Sequence, residues 1–172
     1  MVWTVTPIRA RLKLKTRTCP LLLDQARSFQ TAADNPVLLS VVYEHYTMLA
    51  LRQDAVAQAA EYTATGLRLV AAAYDAADGV TRAHAARGYA RLLRMAGLLA
   101  ERAGAPATAD ARFAQALALV ERSGMGEAAQ EIHETYADVL AARGAYAPAA
   151  QHYRAATARP RRRLPSFALV PL

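Results

Sequence analysis

The chain has 172 residues, is 54% hydrophobic and 20% charged, and carries a formal net charge of +7 at pH 7. That length suits one domain with a sizeable core, and a single cysteine, Cys19, excludes an internal disulfide or a multi-cysteine metal site. No stretch approaches the roughly 18 uninterrupted apolar residues of a membrane span, and the apolar start precedes the basic residues, the reverse of a secretory signal, so the expectation is a cytoplasmic protein with no membrane partner. The charge is unevenly placed. All 14 acidic residues fall between Asp24 and Asp138, and the span 20–158 holds 12 arginines, a net of −2. The other nine cations sit at the two ends: Arg9, Arg11, Lys13, Lys15 and Arg17, then Arg159, Arg161, Arg162 and Arg163.

In chain order, residues 1–19 form a basic arm. From Ile8 the apolar residues alternate with the five bases, the period of a strand with one cationic face, or else of an arm that stays disordered. Its one candidate pairing partner is the run Phe167 to Val170. Pro20 to Ala33 reads as a leading helix with Leu22, Ala26 and Phe29 on a common face, closed by Asp34-Asn35-Pro36. Val37 to Leu51 follows, with Leu38, Val42, Tyr46 and Leu49 as its inner stripe. Gln53-Asp54 makes a turn in which Asp54 would cap the next helix. That helix runs through Tyr62, Leu67 and Val70 to about Ala77 and ends at Asp78-Gly79. Thr81 to Ala103 and Pro106 to Arg122 form a second pair, and a third runs from Glu127 to Ala158. After Pro160 the composition turns to arginine and proline, and regular structure is expected to end there.

One pattern occurs twice. Gly97, Ala100, Gly104, Ala109, Phe113 and Ala116 recur 40 residues later as Ala137, Leu140, Gly144, Ala149, Tyr153 and Ala156. Each copy is two helical segments around a glycine that can take the left-handed turn conformation, with a proline near the restart. Such a hairpin cannot bury both faces alone and must stack on a neighbour. At these residues the chain resembles the tetratricopeptide repeat, most closely over Tyr136 to Ala156. The long step is similar to the variant found in sensor arms of large bacterial transcription regulators and in some nucleotide-cyclase proteins. Leu93 and His133 stand where that family often has a large aromatic.

The resemblance implies an all-α, right-handed superhelical solenoid of antiparallel helix pairs, about seven helices over 20–158, flanked by the arm and a basic, proline-rich tail at 159–172. It also implies a concave groove lined by the first helix of each pair. Carried onto this sequence, the lining is Arg91, Arg94, Leu98, Glu101 and Arg102 from one copy, and Glu131, Glu134, Asp138, Ala141 and Ala142 from the next. The weaker first pair adds Ser40, Tyr43 and Thr47. The plainer alternative is that Arg91, Arg94, Glu131 and Glu134 pair with one another across adjacent helices, where exposed pairs contribute roughly 0–1 kcal/mol.

No catalytic constellation emerges. His45, His84, His133 and His152 lack metal-ligand spacing; His133-Glu134 starts like a zinc-protease helix, but no second histidine follows at the fourth position. The sequence has no glycine-rich phosphate loop and no Gly-x-Ser-x-Gly elbow, so no enzyme, cofactor or metal is expected. The expected function is a scaffold or regulatory module that binds another protein, a peptide or a partner helix. Its end faces would favour self-association as a homodimer. The rival reading is a nucleic-acid-binding accessory protein acting through Arg9, Arg11, Lys13, Lys15, Arg17, Arg161, Arg162 and Arg163, whose binding would weaken steeply with salt.

Overall fold

The computed structural model describes residues 35–158. The basic arm, its expected strand and pairing, the leading helix and the C-terminal tail lie outside those residues. Within them the chain is all-helical, with six helices and no strand: α1 (Pro36–Arg52), α2 (Val56–Ala76), α3 (Gly79–Arg102), α4 (Pro106–Arg122), α5 (Gly126–Ala142) and α6 (Tyr146–Thr157).

The helix starts and stops follow from local chemistry. Asn35 and Pro36, expected to close a preceding helix, instead open α1. The Asn35 side chain accepts from the amides of Val37 and Leu38, both at 3.2 Å, and Pro36 takes the first turn, where its missing N–H is no loss. Four of the five connections then stop in the same way, with a residue in the left-handed region: Asp54 (φ 60°), Gly104 (71°), Gly124 (67°) and Gly144 (79°). At each one the following amide reaches back five residues to a helix carbonyl, as Ala105 does to Ala100 and Ala145 to Leu140. Those bonds satisfy carbonyls the helix end leaves open. Asp54 is therefore not the cap of α2, as expected from its residue type. It occupies the glycine position of the turn, and the preceding residue of α2 is Ala55, which makes no side-chain cap.

Each helix packs on the next, and α3 also touches both α1 and α5. The core has two parts that share α3. Leu39, Val42, Tyr43 and Tyr46 of α1 meet Val70 of α2 and Leu92 of α3. On the other side Leu93 joins Phe113 and Val120 of α4 and Ile132 of α5. Leu67, Tyr74 and Tyr89 pack against both parts. The inner stripe of α1 is thus Leu39, Val42, Tyr43, Tyr46 and Ala50, and Leu38, expected inside, is 46% exposed. Close approach depends on glycine at Gly66, Gly88 and Gly97, the second of these facing the Ser40 hydroxyl. A Cβ on Gly97 would lie 2.9 Å from the Phe113 ring, and one on Gly66 would lie 2.8 Å from the Tyr43 Cβ.

Candidate protein-binding face

α1, α3 and α5 lie side by side, α3 in the middle, while among the described residues no Cα of α2 comes within 8 Å of α4, and none of α4 within 8 Å of α6. Positions along α3 and α5 that correspond through the 40-residue repeat carry opposite charge. Arg87, Arg91 and Arg94 stand on α3; Glu127, Glu131 and Glu134 stand on α5. Arg91 meets Glu131 at 2.9 Å, and Arg87 meets Glu127 at 3.8 Å in a more exposed pair.

Arg94 turns the other way. It meets Glu44 of α1 at 2.9 Å, and Arg91 approaches the same carboxylate at 3.7 Å. Arg94 also donates to the Thr135 hydroxyl of α5 at 3.3 Å. Glu44, Arg91, Arg94, Glu131 and Thr135 therefore form one polar seam across all three helices. Glu44 is its buried centre, 3% exposed. The seam is not fully satisfied: the Nε donors of Arg91 and Arg94 are buried without a partner, an arrangement that costs about 1–3 kcal/mol per group.

A second set of charges ties the hairpin turns together. Arg143, at the end of α5, donates through Nε to both carboxylate oxygens of Glu101 at 3.0 Å, and through another guanidinium nitrogen to Asp110 at 2.8 Å. These bonds hold the Glu101 carboxyl below the usual carboxylate range, the Arg143 hydrogen bond being the main cause against an opposing effect of burial. They also hold Arg143 more firmly in its cationic form. Arg102 of α3 reaches back in a similar way to the first turn, donating to the Leu51 carbonyl at 3.1 Å and approaching Asp54 at 3.6 Å.

The expected groove residues divide into three groups. Tyr43 and Thr47 do not line a groove: they are 5% and 0% exposed. Tyr43 packs against Tyr46 and Tyr62, and the Thr47 hydroxyl sits 3.0 Å from that of Thr63 on α2. The reason is the register of α1, which turns these residues toward α2 and α3. Ser40 is buried as well. Arg91, Arg94, Glu101, Arg102 and Glu131 are brought together, but largely by pairing with other helices, as the plainer sequence alternative held for Arg91 with Glu131. Leu98 is half-buried against the second part of the core. Glu134 and Asp138 remain exposed; Glu134 accepts from Gln130 at 2.8 Å, not from an arginine, and Asp138 accepts from the Tyr153 hydroxyl. That bond and some burial hold the Tyr153 hydroxyl above its ordinary value. Ala142 is exposed and Ala141 half-buried.

Sequence reasoning missed Glu44. Its signal was a lone acid inside an apolar helix, flanked at helical spacing by Ser40 and Thr47, a buried polar stripe. The eight basic residues assigned to nucleic-acid contact lie outside the described residues. Among the described residues, no three His, Cys, Asp or Glu side chains stand together as metal ligands, and no helix is long and apolar enough to cross a membrane. In comparison with known proteins, the chain matches no family model, no curated protein and no solved structure.

Proposed function

We propose that this chain is a non-catalytic protein-interaction module: a right-handed solenoid of antiparallel helix pairs of the tetratricopeptide type, acting as a scaffold or regulator. One observation carries the reading. The first helices of successive pairs touch, α1 with α3 and α3 with α5, while the backbones of the second helices stay apart. A stack built so curves toward its first helices, and that concave side is the surface such repeats use. The face offers Arg102, Glu134 and Asp138 to solvent, each held by a neighbour (Asp54, Gln130 and Tyr153) but exposed beside the buried seam. Its free character is thus acidic toward α5, and an extended peptide or partner helix laid across α1, α3 and α5 would be recognised there.

The test is affinity capture from source-cell extract with the full chain and with its Glu134→Arg/Asp138→Arg variant, each with and without nuclease. The expected result is a protein retained by the native chain after nuclease and lost by the variant. Capture that depends wholly on nucleic acid would instead support the basic ends as the working part, the reading favoured by the nine cations placed there. An identical protein set on both chains would refute the face.

A further inference from the structure

α1 is apolar around its whole circumference. Of its residues only Glu44, His45 and Arg52 can carry charge near neutral pH, and Glu44 is buried in the seam. A helix of that composition is one enclosed on every side. Among the described residues, however, α1 packs on α2 and α3 alone, whereas α3 packs on α1, α2, α4 and α5.

Counting back from the left-handed turn residues Asp54, Gly104 and Gly144 sets the three first helices in register. Leu38 then corresponds to Gly88 of α3 and Ala128 of α5, Val42 to Leu92, and His45 to Thr135. On the later helices this is the side that meets the preceding pair. A Cβ on Gly88 would run into the Ser40 hydroxyl of α1 and lie 3.5 Å from Val70 of α2. Leu92 closes the part of the core that α1 and α2 build, and Thr135 accepts from Arg94 of α3 at 3.3 Å. Gly88 and Ala128 are buried there. Leu38, in the same place on α1, is nearly half exposed, and His45 is exposed.

The chain itself supplies a cover of matching pattern. It enters α1 through Asn35, whose side chain caps the helix, so the residues before it start from the Leu38 end. A segment turning there folds back along α1, as α2 and α3 do across the short link Ala77–Asp78. Within Pro20 to Ala33, the residues Leu22, Ala26, Phe29 and Ala33 stand at steps of four, three and four. Leu38, Val42, His45 and Leu49 stand at the same steps, the helical period on both sides. Laid in opposite directions, Ala33 meets Leu38, Phe29 meets Val42, Ala26 meets His45 and Leu22 meets Leu49. Small residues thus face the large Leu38 and His45. A helix over 20–33 is about 21 Å long, enough for a stripe that spans about 16 Å of α1. His45 donates through Nδ1 to the Val41 carbonyl of its own helix at 2.7 Å, so a cover leaves that nitrogen satisfied.

We propose that segment 20–33 of this chain docks on the Leu38–Leu49 stripe, in the place where α2 stands against α3, and so closes the N-terminal side of the array. Docked there, it brings Cys19 and the basic residues before it to the Arg52 end of α1. The inference does not rest on the binding role proposed above.

Cys19 is the only cysteine, so a nitroxide attached to it in the full chain reports where the segment lies. By NMR, the amide signals of Met48 to Asp54 should weaken most within α1 and its turn, and those of Val37 to Ser40 least. Leu22→Ser combined with Phe29→Ser should abolish that gradient while α4 to α6 keep their native signals. The proposal is overturned if the label weakens the Leu38 end as strongly as the Arg52 end, or leaves α1 untouched. It is equally overturned if the weakening arises only between labelled and unlabelled copies mixed together, which would make the cover a second molecule, or if the gradient survives in the variant. Should the variant not fold, the native measurement decides alone.

Discussion

Glu44→Gln is the sharpest probe of the polar seam, because it removes one charge and almost no volume. In the native chain Glu44 is 3% exposed and neutralises Arg94 at 2.9 Å and, at longer range, Arg91 at 3.7 Å. With glutamine there, Arg91 keeps Glu131 as its anion and Arg94 keeps only the Thr135 hydroxyl, and their Nε donors already lack partners. Removing one member of a buried pair costs about 3–5 kcal/mol; the lower end applies here, about 3 kcal/mol, because the arginine side chains keep 13% and 21% exposure. Urea unfolding is the assay. At a slope of about 2 kcal/mol per molar, the midpoint should fall by about 1.5 M. A double-mutant cycle with Arg94→Met isolates the pair, and Glu44→Leu/Arg94→Met should recover most of the loss, since an apolar replacement avoids both desolvation and the unmet Nε. A midpoint shift under about 0.3 M for Glu44→Gln, or a cycle with no coupling, would refute the view that Glu44 is a buried ionic anchor.

Two other substitutions test the backbone reading. Asp54→Gly should raise stability by about 0.5–1 kcal/mol, by relieving a non-glycine residue at φ 60°, and the exposed contact with Arg102 offsets little of it; thermal unfolding would show an unchanged or lowered midpoint if the turn were not left-handed. Gly97→Ala should lower stability by about 1–3 kcal/mol, because the new Cβ meets the Phe113 ring at 2.9 Å. Pairing it with Phe113→Leu, which gives space back, should reduce the loss in the same assay.

The part of the fold governed by the 40-residue repeat was legible. Pro106 to Arg122 was bounded as found, Gly104 and Gly144 were placed at their turns, and the Arg91–Glu131 pairing was one of two stated outcomes. The first hairpin was legible in its bounds, Val37 to Leu51 and an end near Ala77, but not in its turn residue or the rotation of α1, and the reason is geometric. Its left-handed turn residue is an aspartate 50 residues before Gly104, whereas Gly104 and Gly144 are 40 apart. α2 and α3, at 21 and 24 residues, are four and seven longer than α4 and α5 and break the step. With no repeat to fix its rotation, α1 was read about one residue out of phase, so Leu38 went inside in place of Leu39, and Tyr43 and Thr47 were turned to solvent. Glu44 was passed over for a different reason: a buried acid is tolerable only with its partners, and those lie 47 and 50 residues further along the chain.

The division of α3 between both parts of the core bears on how the chain comes apart. Leu92 and Leu93 are neighbours in sequence, yet each closes a different set of side chains. Arrays of repeats melt piecemeal when the ties between units are weaker than the units themselves. Here no cut between units leaves both sides whole, because losing α3 strips a wall from the Tyr43 side and the Phe113 side together. The first and third hairpins thus both lean on one helix, and neither keeps its core closed if that helix is lost.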